Sequence, residues 1–249
     1  MKVIICKNKE EVALKAGEIF VESMQENPCL TLGLATGSTP IGLYNYLINA
    51  YKQGIISFKD VITFNLDEYI GIDQKHPQSY YQFMMRQLFN HVDMNKNHIH
   101  LPKNDLKTIE ENIKSYNQDL LNHHIDLQVL GIGQNGHIGF NEPNTPFDQE
   151  TFMVQLDENT RQANLRFFNN IQEVPKYAIT MGIKNIMQSK KIVMLAYGKH
   201  KAKAINEMIN GKVSTNCPAS ILQLHPNTIV IIDEDAASLL NKEVQNETN

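Results

Sequence analysis

The chain reads as an α/β protein: a doubly wound, mainly parallel sheet with helices on both faces, a Rossmann-like three-layer sandwich. Two observations predict it. Short apolar runs alternate with amphipathic stretches, the pattern of strand–helix–strand units. Chemically loaded turns follow directly after the apolar runs, where a parallel sheet gathers its ligands. Lys2–Cys6 is the first strand, and Glu10–Met24 follows with Val12, Ala13, Ala16, Ile19 and Phe20 at helical spacing. Cys29–Ala35 is a second apolar run, and Pro40 suits the first turn of a helix continued by Leu43, Tyr44, Leu47 and Ile48. Val61–Leu66 reads as a strand with Asp67 and Glu68 at its carboxyl end. Tyr80–Phe89 and Leu106–Asn122 read as helices, and Leu127–Ile132 as a strand. Ile192–Tyr197, Lys199–Asn210 and Thr228–Asp233 give a strand, a helix and a last β-branched strand. Thr151–Lys176 is polar and resists assignment, and Glu243–Asn249 reads as a frayed tail. With no fixed-period repeat or Pro/Ser linker, residues 1–249 are expected to form one domain.

Composition narrows the function classes. The 249 residues carry 23 basic and 27 acidic side chains, a formal charge of −4. That balance argues against nucleic-acid binding, which shows a basic footprint, but allows a local site for a small anion. No apolar run approaches the ~18–20 residues of a membrane span, so no membrane partner is expected. The start, MKVIICKNKE, lacks the apolar core of a signal peptide, which points to a cytoplasmic protein. Three scattered cysteines make no disulfide scaffold; Cys6 and Cys29 read as small core residues.

Three clusters carry candidate chemistry. Thr36-Gly37-Ser38-Thr39 joins a buried strand to a helix start. Helix N-terminal amides, a glycine and two hydroxyls suit a phosphate, although the same residues also serve as a plain helix cap. The Lys-Ser/Thr ending of a Walker loop is missing. Asp67-Glu68 offers a general base or a solvated strand end. Adjacent strand residues point to opposite faces, so the two acids are expected to do different jobs. Gly131-Ile132-Gly133-Gln134-Asn135-Gly136-His137 fits a G-x-G-x-x-G string, but His137-Ile138-Gly139-Phe140-Asn141-Glu142-Pro143 is a poor helix start, which disfavours a dinucleotide. His137 is instead either a proton shuttle oriented by Glu142 or a structural histidine. The remaining histidines show no metal-ligand spacing, and neither a metal nor a cofactor is expected. Lys199-His200-Lys201 open a helix, where cations oppose the helix dipole. Lys201 is therefore a candidate anion ligand as well as a candidate solvated residue.

Taken together, these segments resemble the glucosamine-6-phosphate deaminase (isomerising) family. The resemblance runs through Gly33–Pro40, Phe64–Tyr69, His76–Tyr81, Gly136–Pro143, Thr160–Phe168 and Cys217–Pro226. It implies conversion of glucosamine 6-phosphate and water to fructose 6-phosphate and ammonia. By resemblance, His137 moves the ring-opening proton, with Glu142 and Asn135 holding its ring. Asp67 is the implied base that takes the C2 proton and returns it to C1, which needs no metal or redox cofactor. Thr36, Gly37, Ser38 and Thr39 match the anion loop, and Arg166 and Lys201 the cationic phosphate ligands. Arg161 lies in the same motif without an assigned role. The irregular stretch 151–176, which contains Arg166, is the lid candidate.

Two departures matter. Some members carry Asp where this chain has Asn135, so charge stabilisation of His137 is expected to fall to Glu142. In the stretch matching the second phosphate site of hexameric, activated members, the chain reads Thr151-Phe152-Met153-Val154-Gln155, without Lys or Arg. The resemblance therefore implies no activation by N-acetylglucosamine 6-phosphate, and a monomer or small homo-oligomer rather than a hexamer. The competing readings are 6-phosphogluconolactonase, whose Gly-His turn continues differently, and a sugar-phosphate sensor on the same fold.

Overall fold

Seven parallel strands form the central layer of the computed structural model, which describes residues 1–156, 158, 161–162, 165, 168 and 170–241. They are β1 (Lys2–Cys6), β2 (Thr31–Leu34), β3 (Ile62–Asn65), β5 (Ile99–His100), β6 (Leu127–Gly131), β9 (Lys191–Ala196) and β10 (Thr228–Asp233). Their order is β1-β10-β9-β6-β2-β3-β5, and every neighbouring pair is parallel. A second sheet, β4-β8-β7, is antiparallel and consists of β4 (Asp67–Tyr69), β7 (Phe152–Gln155) and β8 (Tyr177–Thr180). The helices are α1 (Lys9–Glu26), α2 (Ile41–Lys52), α3 (Tyr80–Gln87), α4 (Ile109–Asn122), α5 (Ile183–Met187) and α6 (Ala202–Asn210).

The elements form for local reasons. Asn8 caps α1 by accepting a hydrogen bond from the Glu11 amide, and Val12, Ala16, Phe20 and Met24 then bury one face at four-residue spacing. All four residues of β2, and all of β9 after Lys191, are buried. That is the signature of a sheet covered on both faces, and each large apolar side chain so buried contributes about 1.5–3 kcal/mol. The chain passes from β2 outward to β3 and β5, then returns to β6 on the other side of β2. The strand order thus reverses between β2 and β6, which opens a crevice at their carboxyl ends.

Several expectations are corrected. β3 stops at Asn65, and Asp67 belongs to β4 in the other sheet. Leu66 is the crossing point: its amide donates to the Leu34 carbonyl in the large sheet, while its carbonyl accepts from the Met181 amide beside the small one. Part of the polar stretch 151–176 is strand β7, held to β8 from Phe152 to Gln155. Four-residue strands with alternating burial offer too short a pattern to read. Cys29 is exposed, because the strand begins only at Thr31 and Cys29 lies in a turn where its amide bonds Asn27 Oδ1. Cys6 and Cys217 are buried. The tail 243–249 lies outside the described residues.

Asp67 and Glu68 do face different surroundings. The buried Glu68 carboxylate accepts three backbone N–H bonds, from Tyr69 (2.9 Å), Tyr80 (2.9 Å) and Tyr81 (3.0 Å). It pins β4 to the N-terminus of α3, where Ser79 adds a side-chain cap. Glu68→Ala leaves three inward amides unpaired and is expected to lower the unfolding free energy by about 2–4 kcal/mol in urea, with Glu68→Gln losing less.

Candidate functional site

The crevice between β2 and β6 collects the candidate residues from both sides. On one side, β2 runs into Thr36-Gly37-Ser38-Thr39 before α2. Gly37 has φ +88°, and a side chain there would meet only open space. The amides of Thr36 to Thr39 make no hydrogen bond to the described residues, so they remain available as donors beside the α2 N-terminus. The loop is tied down from behind: Tyr44 Oη donates to the Ala35 carbonyl (2.5 Å), and Tyr197 Oη to that of Ser38 (3.1 Å).

On the other side, β6 runs into the turn that carries His137. No helix follows Gly131, so the glycine string is not a dinucleotide fingerprint. The glycines seat the histidine instead. The imidazole lies over Gly133, where a methyl group would come within 2.4 Å of Cε1. The Gly133 amide donates to the His137 carbonyl (2.9 Å), which closes the turn under the ring. His137 Nδ1 lies 3.2 Å from Glu142 Oε1. Asn135 Nδ2 donates to the other Glu142 oxygen (2.6 Å), while Asn135 Oδ1 accepts from the His137 amide (3.2 Å). Asn135 therefore acts on the ring through Glu142 and the backbone. Burial raises the Glu142 carboxyl, but contact with His137 and the Asn135 amide outweighs it and holds the group below its ordinary range.

Asp67 approaches the same turn from the small sheet. A methyl at Gly139 would stand 3.7 Å from Asp67 Oδ2, 3.1 Å from Thr180 Oγ1 and 3.5 Å from Asn141 Nδ2. Thr180 pairs with Asp67 in the β4–β8 register, and its hydroxyl accepts from the Phe140 amide (3.2 Å). Asn141 donates to the carbonyls of Ile138 (2.8 Å) and Met181 (2.9 Å). These bonds fix the histidine turn to the strand beside Asp67. Among the described residues, no donor or cation contacts the Asp67 carboxylate. Burial first, and the neighbouring Glu68 second, push its pKa up to about 8. Tyr69, Tyr80 and Phe140 stack next to it in a small apolar cluster that Phe168 joins.

Lys201 ends a 3-10 turn after β9 and reaches across to donate from Nζ to the Ile132 carbonyl (2.6 Å), at the root of the histidine turn. Burial lowers its pKa. Arg166 lies outside the described residues. Arg161 pairs with Glu158 (3.1 Å) and donates to the Ile171 carbonyl (2.8 Å), so it braces its own segment. Among the described residues, no group of three or more His, Cys, Asp or Glu is arranged for a metal, and no helix is long and apolar enough to cross a membrane. Sequence reasoning named Gly133 and Asn141 within their motifs but gave them no such role, and it missed Thr180. The first had a signal in the glycine string; the contacts of the other two depend on chain crossing.

Gly133→Ala forces the ring away from Glu142. The expected result is a displaced His137 Cε1–H resonance in NMR spectra. Any turnover that uses His137 should fall by about 100-fold, with the fold retained.

The family model for glucosamine-6-phosphate isomerases and 6-phosphogluconolactonases matches residues 7–231. A glucosamine-6-phosphate deaminase of Thermoanaerobacter pseudethanolicus is 52% identical over 244 residues, 98% of this chain and 96% of that protein. The solved structure of a monomeric glucosamine-6-phosphate deaminase superposes with a TM-score of 0.92 at 44% identity, covering 96% of this chain and 100% of that one. A 6-phosphogluconolactonase from Leishmania guyanensis shares the fold at a TM-score of 0.74 and 19% identity, over 96% and 98% of the two chains.

Proposed function

The chain belongs to the glucosamine-6-phosphate isomerase and 6-phosphogluconolactonase family, and from that premise we propose that it is a cytoplasmic deaminase of amino-sugar catabolism. It converts glucosamine 6-phosphate and water to fructose 6-phosphate and ammonia. The observation that carries this reading is the buried, unneutralised Asp67 set beside the turn that holds the His137–Glu142 pair. Aldose–ketose isomerisation needs that combination: a carboxylate basic enough to take a carbon-bound proton, and a separate group to open the sugar ring.

The substrate phosphate docks on the free amides and hydroxyls of Thr36, Gly37, Ser38 and Thr39. Lys201 supplies charge from across the crevice, and Arg166 is a further cationic ligand in this reading. His137 then takes the proton from O1 and delivers one to O5, which opens the pyranose. Glu142 stabilises the imidazolium formed in between, and Asn135 fixes Glu142 without adding charge of its own. Asp67 removes the C2 proton and returns it to C1 through an enolamine. Hydrolysis of the resulting C2 imine releases ammonia and leaves the ketose. Lactone hydrolysis has no use for a base at this carbon pair.

A base with a raised pKa gives a definite pH dependence. With Asp67 near 8, kcat/KM is expected to fall by about tenfold per pH unit below that value. The stability linkage has a matching sign. Folded Asp67 keeps its proton to higher pH than the unfolded side chain, so its contribution is complete below about pH 4 and is lost as pH rises through about 8. Asp67→Asn should abolish ammonia release, measured by a coupled assay. It should also raise Tm by roughly 3–6 °C at about pH 9 while leaving it unchanged near pH 4. A wild-type protein that releases no ammonia from glucosamine 6-phosphate overturns the reading.

The same reading makes the protein a monomer without a second phosphate site, in keeping with the relative described as monomeric. Light scattering should give about 28.4 kDa. The substrate curve should be hyperbolic and unmoved by N-acetylglucosamine 6-phosphate; a hexamer, or a sigmoidal curve abolished by that compound, would refute this.

A further inference from the structure

The segment Cys217-Pro218-Ala219-Ser220 supplies no group to the proposed chemistry, yet all four residues are buried, and Cys217 and Ala219 meet the histidine turn at Gly136. Gly136 precedes His137 and has φ +84°, which glycine adopts without strain, and with no Cβ an isolated glycine peptide is free to swing out of it. Here it does not swing. Its open face is closed by Cys217: a methyl at Gly136 would fall 2.5 Å from Sγ and 3.3 Å from both Cα and Cβ of Cys217. Its carbonyl accepts from the Ala219 amide (2.9 Å), and its amide donates to the Gly133 carbonyl (3.1 Å).

The supporting turn is itself braced. The Cys217 amide donates to the Ser214 carbonyl (3.0 Å), and the Ser220 amide to the Cys217 carbonyl (2.8 Å). Ser220 Oγ accepts from the Ser214 amide (2.9 Å) and donates to the Ser214 carbonyl (3.0 Å). The same turn also holds the far end of the catalytic loop, since the Asn144 amide donates to the Thr215 carbonyl (2.8 Å). Both flanks of the His137–Glu142 pair therefore rest on residues 214–220.

We propose that Cys217 is a positioning residue for His137, setting the Gly136 peptide and through it the seat of the imidazole over Gly133 and against Glu142. Its part is shape rather than charge, since burial raises the thiol pKa and keeps the group neutral. The kinetic consequence rests on the deaminase reading above; the geometric one does not.

Cys217→Val overfills the contact, Cys217→Ala empties it and Cys217→Ser keeps its approximate shape. In Cys217→Val, kcat should drop by about 10- to 100-fold while KM stays within about twofold, because ring opening is misaligned and phosphate binding is untouched. The NMR titration of the His137 ring should move with it. Cys217→Ala should show the same signs more weakly and serves if the Val variant does not fold. Cys217→Ser should restore both readouts to near wild type. If Val and Ala lower only Tm, with kcat and the His137 titration unchanged, Cys217 is core packing and the proposal is overturned. If the wild type releases no ammonia, the deaminase reading fails alone, and the His137 titration still decides the role of Cys217.

Discussion

The Asp67 carboxylate is buried, and among the described residues nothing of opposite charge or with a free donor contacts it. Leaving an acid so exposed to desolvation costs stability, and burial drives its pKa upward. The surrounding scaffold has to hold it there. Glu68, the next residue, shows the contrast: it is buried too, but three backbone amides satisfy it, and it fastens the end of β4 to α3. One acid of the pair holds the strand, and the other is left buried with a raised pKa by the position that strand imposes.

The second constraint is the meeting of two sheets. Asp67 comes from the small antiparallel sheet, and His137 from a turn after the large parallel one. Leu66 joins them by giving its amide to one layer and its carbonyl to the other. Thr180 and Asn141 then bind the histidine turn to the small sheet. Glycines at the crossings allow the approach, since side chains at Gly133 and Gly139 would press on His137 and on the Thr180 hydroxyl. The chemistry proposed for the site depends on two groups that no single element carries.

Much of the central layer was legible in the sequence. The strands Lys2–Cys6 and Thr228–Asp233 match their expected limits, because each contains a continuous apolar run: β10 is buried almost throughout, and β1 is the half-buried edge beside it. The small sheet was not legible. Its strands have three or four residues each, and a short segment such as Phe152–Gln155, with only alternate residues half-buried and polar stretches around it, resembles a loop until its partner is known. Cys29 was misplaced for a related reason: an apolar run does not show where the strand inside it begins.

The candidate residues Asp67, His137, Glu142, Asn135 and Lys201 were named from motif and resemblance, and residue order alone placed the Thr36–Thr39 loop and the histidine turn after strands. Local sequence suffices for that, because a strand, a glycine turn and a helix start are each encoded within about ten residues. The tertiary structure decided the rest. It put Asn135 on Glu142, Lys201 on the Ile132 carbonyl, Gly133 under the imidazole and Cys217 behind Gly136. It also decided which of two adjacent acids is left without a partner among the described residues. Such contacts join residues far apart in the chain, and their strength depends on burial, which no local pattern records.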